Sequence, residues 1–247
     1  MSPPEYETVF SLLQGYTKRR PRRGPFPLES ALTWSILLGI QSGNNIHGDM
    51  LEIGVEFGTS AFLMLEFLSS EEQATFVDLN TTQEWLEGIN GPYQHIRNHR
   101  YIVGNTLKMR PSELPEQCRW IHIDGGHLYQ HVANDLQLTA DSLAPDGIAV
   151  LDDFFEIRWP DVTAAILDFL REDDRLTPFL LVNRKLYCAA NAETAEKYTS
   201  AFNAFLTNYA RDIGHVRCWE DVALAEQRVM VAKMDLCERL ISLETPD

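Results

Sequence analysis

Short apolar runs alternate with longer amphipathic stretches through the middle of the chain. Runs of strand length occur at 49–55, 74–79, 100–104, 119–124 and 147–153. Between and after these runs, apolar residues recur at helical spacing over 59–69, about 82–96, about 128–143 and 160–172. Parallel strands need long crossover connections, which are usually helices. The alternation therefore predicts an α/β fold with a doubly wound, mostly parallel sheet.

The segments on either side of this region have patterns of their own. The stretch "LESALTWSILLGIQSG" predicts a helix packed on the edge or over the mouth of the sheet, and "FLLVNRKLYCAA" predicts an antiparallel hairpin at the sheet edge, which makes seven strands in all. In the tail, "AETAEKYTSAFNAFLTNYA" and "EDVALAEQRVMVAKMDLCERL" predict two helices. We therefore expect an N-terminal helical or lid segment at 1–46, a ligand-binding α/β domain at 47–190 and a C-terminal helical extension at 191–247.

Charge and composition narrow the classes of protein. The formal net charge of the 247 residues is −15, which argues against a general nucleic-acid binder, because such proteins hold phosphates with clustered Lys and Arg. One basic cluster, in "TKRRPRRGPFP" at 17–27, predicts a loop that is either simply solvated or meets an acidic substrate or the acidic body of the protein. No apolar run has the length of a membrane span, and the four cysteines are widely spaced. We expect a cytoplasmic protein without a membrane partner.

Unusual residues follow the first two predicted strands. In "LEIGVEFGTSAF", Gly54 and Gly58 allow a tight turn and a close approach to a ligand, and the next helix begins there with free N–H groups. The spacing lacks the third glycine of a dinucleotide fingerprint, which weakens a pyrophosphate interpretation. Asp78, at the end of the second strand, is suited to accept hydrogen bonds from ribose hydroxyls, although it could also be a simple strand cap. Together these features suggest a nucleoside-bearing cofactor.

Three carboxylates follow the fourth and fifth strands. Asp124 ends "RWIHID", and Asp152 and Asp153 end "GIAVLDD". Two like charges about 4 Å apart repel by roughly 4 kcal/mol at an effective dielectric constant near 20, so the cluster favours a bound cation. Carboxylate oxygens suit Mg²⁺ or another hard divalent ion. His127, three residues after Asp124, is a candidate base, because a neutral imidazole can take a proton from a hydroxyl near pH 7.

The motifs "LEIGVEFGTS", "FVDLN", "GNT", "HIDGGH" and "LAPDGIAVLDD", in this order, resemble those of class I S-adenosylmethionine-dependent methyltransferases. The resemblance is greatest to the branch of metal-dependent O-methyltransferases that includes enzymes acting on macrolide and aminocoumarin sugars. It covers about residues 47–190. We therefore expect a seven-stranded methyltransferase fold and an enzyme of natural-product biosynthesis.

The resemblance also implies roles for individual residues. Glu52, Gly54 and Ser60 would surround the methionine part of the cofactor, Asp78 would hold its ribose, and Asn105 would lie near its adenine. Gly58, in the same glycine-containing loop, would also belong to the cofactor site. Asp124, Asp152 and Asp153 would bind the metal. His127 and Asp124 would be the catalytic residues, with His127 in the place that a histidine holds in the sugar-modifying enzymes.

The expected reaction is the metal-assisted O-methylation of a small hydroxylated metabolite with neighbouring oxygens, such as a sugar. Other functions stay open: different metal-dependent chemistry on this scaffold, as in relatives described as cephalosporin hydroxylases, a non-catalytic cofactor-binding protein, or a nicotinamide oxidoreductase. The aromatic residues Phe154, Phe155 and Trp159 could line the acceptor pocket or belong to the core. A homodimer or higher homo-oligomer could form through the apolar faces of the C-terminal helices.

Overall fold

The computed structural model describes residues 1–21, 23–24 and 26–244, and for residues 220 and 221 the backbone alone. The helices are α1 (Tyr6–Arg19), α2 (Leu28–Gly43), α3 (Thr59–Glu66), α4 (Gln83–Asn90), α5 (Tyr129–Ser142), α6 (Pro160–Glu172), α7 (Ala192–Asn208), α8 (Ala210–Ile213) and α9 (Glu238–Ile241). The strands are β1 (Asp49–Ile53), β2 (Ala74–Asp78), β3 (His99–Val103), β4 (Cys118–Ile123), β5 (Leu143–Leu151), β6 (Thr177–Val182), β7 (Lys185–Ala189), β8 (Gly214–Leu224) and β9 (Gln227–Leu236).

Within the described residues, all of these strands form one nine-stranded sheet. Their order is β3-β2-β1-β4-β5-β7-β6-β9-β8. Strands β1 to β5 pair in parallel, β7 runs antiparallel between β5 and β6, and β9 pairs in parallel with β6 and antiparallel with β8. The predicted doubly wound, mostly parallel α/β sheet is confirmed, but the predicted number of seven strands is wrong, because β8 and β9 extend the sheet beyond the predicted hairpin.

Each face of the sheet is buried under helices. Alternate residues of the central strands contribute to two apolar clusters, so Met50 and Trp120 pack into one and Leu51 and Ile121 into the other. The first cluster contains apolar side chains of α1, α2, α3 and α7, and the second those of α5 and α6. Helices on both faces leave the edge formed by the strand ends open, which is where such sheets bind ligands.

The second predicted C-terminal helix is wrong. Residues 214–236 form the hairpin of β8 and β9, in which Met230, Ala232 and Met234 are buried while Lys233 and Asp235 are exposed. This alternation with a period of two is that of a strand with one buried face, and pairing with β6 outweighs the helix propensity of Ala, Glu, Met and Lys. The predicted hairpin at β6 and β7 is confirmed, but it is not at the sheet edge, because β9 and β8 cover β6.

The basic cluster is only partly a loop. Helix α1 continues through Lys18 and Arg19, where basic side chains are favourable in the last turn. Arg19 pairs with Glu66, Arg20 with Glu244 and Arg23 with Glu84, so these side chains meet the acidic body of the protein; Arg22 lies outside the described residues. Among the residues that the structure describes, none of the helices is sufficiently long and apolar to span a membrane.

Candidate active site

The ends of β1 and β4 touch at Gly54. Its φ of +87° suits glycine, and a Cβ atom there would lie 1.8 Å from the carbonyl oxygen of Asp124. The backbone N–H of Asp124 donates to the carbonyl oxygen of Ile53 at 2.8 Å. A side chain at position 54 would therefore push the glycine-containing loop after β1 away from Asp124. Glycine at this position allows the loop and Asp124 to lie in contact.

A cleft of about 610 Å³ opens beside this contact. Residues from the ends of β1 to β4 line it: Ile53, Gly54, Val77, Asp78, Leu79, Gly104, Asn105, Thr106, Asp124, Gly125, Gly126 and His131. Three of the residues predicted to bind the cofactor, Gly54, Asp78 and Asn105, therefore share one cleft.

The two polar residues of this group also shape the loops around them. The Oδ2 atom of Asp78 accepts hydrogen bonds from the backbone N–H groups of Val55 and Glu56 at 2.7 and 2.9 Å. The Oδ1 atom of Asn105 accepts one from the backbone N–H of Leu107 at 3.0 Å. Asp78 thus fixes the loop after β1 and still lines the cleft, where a ligand hydroxyl can meet its carboxylate.

The other three predicted cofactor residues do not line the cleft. Gly58 has a φ of +81° and precedes α3, and a Cβ atom there would lie 2.8 Å from the ring of Trp85. Packing and backbone conformation thus account for this glycine. Glu52 is fully buried, and its Oε1 atom accepts a hydrogen bond from the hydroxyl of Ser60 at 2.5 Å. Contacts of Glu52, Gly58 and Ser60 with a cofactor stay a prediction.

His122 connects Glu52 to the acidic residues, a role that its position on a strand did not reveal. Its Nδ1 atom lies 2.7 Å from Oε1 of Glu52, and its Nε2 atom lies 3.7 Å from Oδ2 of Asp152. Burial alone would lower the pKa of His122, but the carboxylates of Asp152 and Glu52 outweigh it and raise the pKa to about 9. An imidazolium is therefore stable between the buried carboxylate of Glu52 and the partly buried carboxylate of Asp152.

Lys185 was also missed by the sequence analysis. Strand β7 runs antiparallel to β5 with Leu186 opposite Leu151, so Lys185 comes to lie beside Asp152. Its ammonium group forms an ion pair with the Asp152 carboxylate and is almost fully buried. Burial opposes ionisation of Asp152, but Lys185 and His122 outweigh it and hold the pKa of Asp152 below its usual value. This pair can be recognised only from the register of β7 against β5, which the folded sheet provides and the sequence does not.

The structure brings the three predicted acidic residues together around Asp124. Ligand atoms of Asp124, Asp152 and His122 lie within 4.8 Å of one another, and so do those of Asp124, Asp153 and His127. The surrounding protein atoms and the charge of Asp152 raise the pKa of Asp124. The pKa of Asp124 is thus shifted upwards and that of Asp152 downwards, and perturbed pKa values of this kind cluster at functional sites.

His127 is held on two sides. Its Nε2 atom lies 3.2 Å from Oδ2 of Asp153, and its ring stacks on Trp159 with centroids 4.4 Å apart. The hydrogen bond to Asp153 raises the pKa of His127 above its usual value, against the effect of partial burial. The imidazole is partly exposed, so it is oriented by its neighbours and open to a ligand.

These donors fit a divalent cation. Carboxylates surround the place where the two groups share Asp124, and the partly exposed imidazole of His127 lies beside them. Carboxylate oxygens with imidazole nitrogen are ligands for Mg²⁺, Mn²⁺ and related ions. The ammonium group of Lys185, beside Asp152, opposes the binding of a cation there, because the two positive charges repel each other.

The aromatic residues after β5 divide between the core and the site. Phe154 is fully buried, whereas Phe155 and Trp159 are exposed; Arg158 pairs with Glu156 at 2.9 Å. Among the described residues, eight of the twelve large exposed hydrophobic side chains lie at or after the ends of β2 to β5: Leu79, Val103, Leu107, Leu128, Tyr129, Phe155, Ile157 and Trp159. An apolar rim of this kind commonly marks a binding surface.

Comparison with known proteins agrees with this description. Residues 51–154 match a family model described as a methyltransferase domain. No curated protein sequence matches the chain. The domain match and the shared fold of the solved structures below confirm the predicted resemblance to class I methyltransferases.

Several solved O-methyltransferase structures share the fold at low sequence identity. The O-methyltransferase NovP is 15% identical, with a TM-score of 0.54 over 75% of this chain and 98% of that chain. A candidate caffeoyl-CoA O-methyltransferase from Staphylococcus aureus is 17% identical, with a TM-score of 0.55 over 74% and 92% of the two chains. A candidate O-methyltransferase from Klebsiella pneumoniae is 15% identical, with a TM-score of 0.52 over 76% and 92%.

Proposed function

We propose that this protein is an S-adenosylmethionine-dependent O-methyltransferase that acts, with a divalent cation, on a small hydroxylated metabolite carrying two neighbouring oxygens. The observation that carries the proposal is the contact at Gly54. It places a cleft lined by Asp78 and Asn105 directly beside a cluster of Asp124, His127 and Asp153. A cofactor cleft and a proton-accepting group at one edge of a sheet are what methyl transfer to a hydroxyl requires.

The cleft residues suit the cofactor. Asp78 presents a carboxylate to the ribose hydroxyls, and Asn105 lies further along the same wall, where we place the adenine. Bound S-adenosylmethionine supplies the electrophilic methyl group. Gly54 keeps the end of β1 close to Asp124, so the methyl donor and the acceptor are held at neighbouring strand ends.

The acidic cluster suits a cation and an acceptor with paired oxygens. Asp124, Asp152 and Asp153 would hold the ion, which would acidify a hydroxyl bound to it. His127 removes the proton of the acceptor hydroxyl at Nδ1, because Nε2 faces Asp153, and Asp153 stabilises the imidazolium that forms. Trp159 fixes the plane of the ring by stacking. The apolar rim would exclude water and contact the carbon skeleton of the acceptor.

Calorimetric titration of S-adenosylmethionine tests the proposal. We expect micromolar binding to the wild-type protein, in the presence of Mg²⁺ and of EDTA alike, and a loss of about tenfold or more in affinity for Asp78→Asn, because an amide cannot accept as strongly from two ribose hydroxyls. Asp174→Asn, in the loop between α6 and β6, is the matched control and should bind normally.

Two results would contradict this assignment. If S-adenosylmethionine does not bind, with or without Mg²⁺, the assignment of this cofactor to the cleft is wrong. Binding of NADH in a fluorescence titration would point to a nicotinamide oxidoreductase. Once binding is established, a screen of diol-bearing acceptors with labelled cofactor identifies the substrate.

A further inference from the structure

Lys185 brings a buried positive charge to the acidic cluster. It is the first residue of β7, and its side chain lies against the ring of Phe26, with Nζ 5.5 Å from the ring centroid. Only 4% of the residue is accessible to solvent. A buried ammonium group needs a counter-charge, and Asp152 provides it through the ion pair.

Both oxygens of Asp152 are engaged by the protein. Oδ2 faces the ammonium group of Lys185 and the imidazole of His122, and Oδ1 accepts a hydrogen bond from the backbone N–H of Asp153 at 2.8 Å. A divalent ion that takes Asp152 as a ligand must share this carboxylate with Lys185. It also comes close to the ammonium charge, and the two positive charges repel each other.

We propose that Lys185 competes with the divalent cation for Asp152 and keeps the affinity of the acidic site for cations low. The inference rests on the proposed function, since it concerns the cation of that site. In the absence of a cation, the ammonium group of Lys185 offsets part of the repulsion among the three carboxylates. The cluster is therefore stable without the metal, and Lys185 acts as a positioning residue for Asp152.

Binding of Mn²⁺, measured by calorimetry and by the electron paramagnetic resonance signal of free Mn²⁺ at pH 8, tests this proposal without any measurement of turnover. Lys185→Met keeps the length and apolar contacts of the side chain and removes its charge. We expect Mn²⁺ to bind Lys185→Met about tenfold or more tightly than the wild-type protein, because one nearby positive charge is gone.

Three control variants test whether a change in Mn²⁺ affinity comes from the charge of Lys185. Lys185→Arg keeps the charge and should bind Mn²⁺ as weakly as the wild-type protein. Lys197→Met removes a lysine that pairs with Glu193 on the surface of α7 and should change nothing. Adding Asp152→Asn to Lys185→Met should abolish the gain, because the competition is for that carboxylate. If Lys185→Met does not fold, Lys185→Gln offers a neutral side chain that can still donate to Asp152.

The outcomes separate this inference from the proposed function. Unchanged, weaker or absent Mn²⁺ binding in the neutral variants would overturn the competition. A gain that persists after Asp152→Asn would also overturn it. S-adenosylmethionine titrations of the same variants in EDTA report on the cofactor site independently, so failure of cofactor binding counts against the proposed function and leaves the Mn²⁺ comparison valid.

Discussion

His127 is the side chain on which the proposed proton transfer depends. We expect His127→Ala to lower kcat by about 10²- to 10⁴-fold, the usual contribution of a positioned base. Binding of S-adenosylmethionine should not change, because His127 does not line the cofactor cleft. Steady-state kinetics and calorimetry measure the two effects.

His215→Ala is the control for this experiment. His215 is exposed on β8, at the far edge of the sheet from the acidic cluster. Near-normal turnover in His127→Ala would exclude His127 as the base. A parallel loss in His215→Ala would mean that the first effect is one of general stability.

The contact between His127 and Asp153 has a measurable electrostatic consequence. A carboxylate favours the charged imidazole, so removing it by Asp153→Asn should lower the pKa of His127 towards its ordinary value. An NMR titration of the histidine rings in cation-free protein follows this shift. With Asp174→Asn the His127 titration should coincide with that of the wild-type protein, and an unshifted or higher pKa in Asp153→Asn would contradict the assigned contact.

The sequence revealed the candidate residues at strand ends but not their partners. Asp124, His127, Asp152 and Asp153 were recognisable because polar residues follow buried strands, and the structure brings them together. Lys185 and His122 were not recognisable as members of the site, because each owes its contact to pairing between strands distant in sequence. Ser60 and Glu52 share a buried hydrogen bond that the sequence did not reveal, and their contact with a cofactor stays a prediction.

Among the elements, the regular α/β alternation was predictable and the C-terminal hairpin was not. Strands β1 to β4 lie within a residue or two of their predicted ranges, because apolar runs bounded by turns are unambiguous there. The turn between β8 and β9 consists of Ala225 and Glu226, both at positive φ. Such turns usually contain Asn and Gly. Because Ala and Glu are typical of helices, the sequence contains no signal for this turn.

This turn offers a test at the level of the hairpin. Because Ala225 has a φ of 47° and Glu226 a φ of 66°, replacing them with Asn and Gly should raise the free energy of unfolding by about 0.5 to 1 kcal/mol. Ala225→Pro, whose ring requires a φ near −65°, should have the opposite effect. Urea unfolding measures both. Destabilisation by Asn-Gly would mean that this segment does not form the described hairpin.

For the whole molecule, His122 links stability to pH. Its pKa is about 9 in the folded protein, above the value near 6.5 of an unfolded histidine. The stabilisation from its charged form is therefore complete below about pH 6.5 and is lost as the pH rises towards 9. We expect the free energy of unfolding to fall by about 1 to 3 kcal/mol over this interval.

Urea unfolding at pH 6.5 and at pH 9 checks this expectation. His122→Gln lacks the titrating group, so the difference between its unfolding free energies at the two pH values should be smaller than in the wild-type protein. An equal difference in both proteins would show that other groups cause the pH dependence. Loss of stability towards lower pH, within this interval, would contradict the sign.

The line of contacts Ser60, Glu52, His122, Asp152 and Lys185 joins α3 to β7 through the middle of the sheet. Opposite charges alternate along it from Glu52 to Lys185, so a single replacement takes one partner away from each neighbouring charge. Effects of mutations along the line should therefore be far from additive. During evolution, these positions can change readily only in compensating pairs, so the tolerance of one residue to substitution depends on the identity of its neighbour.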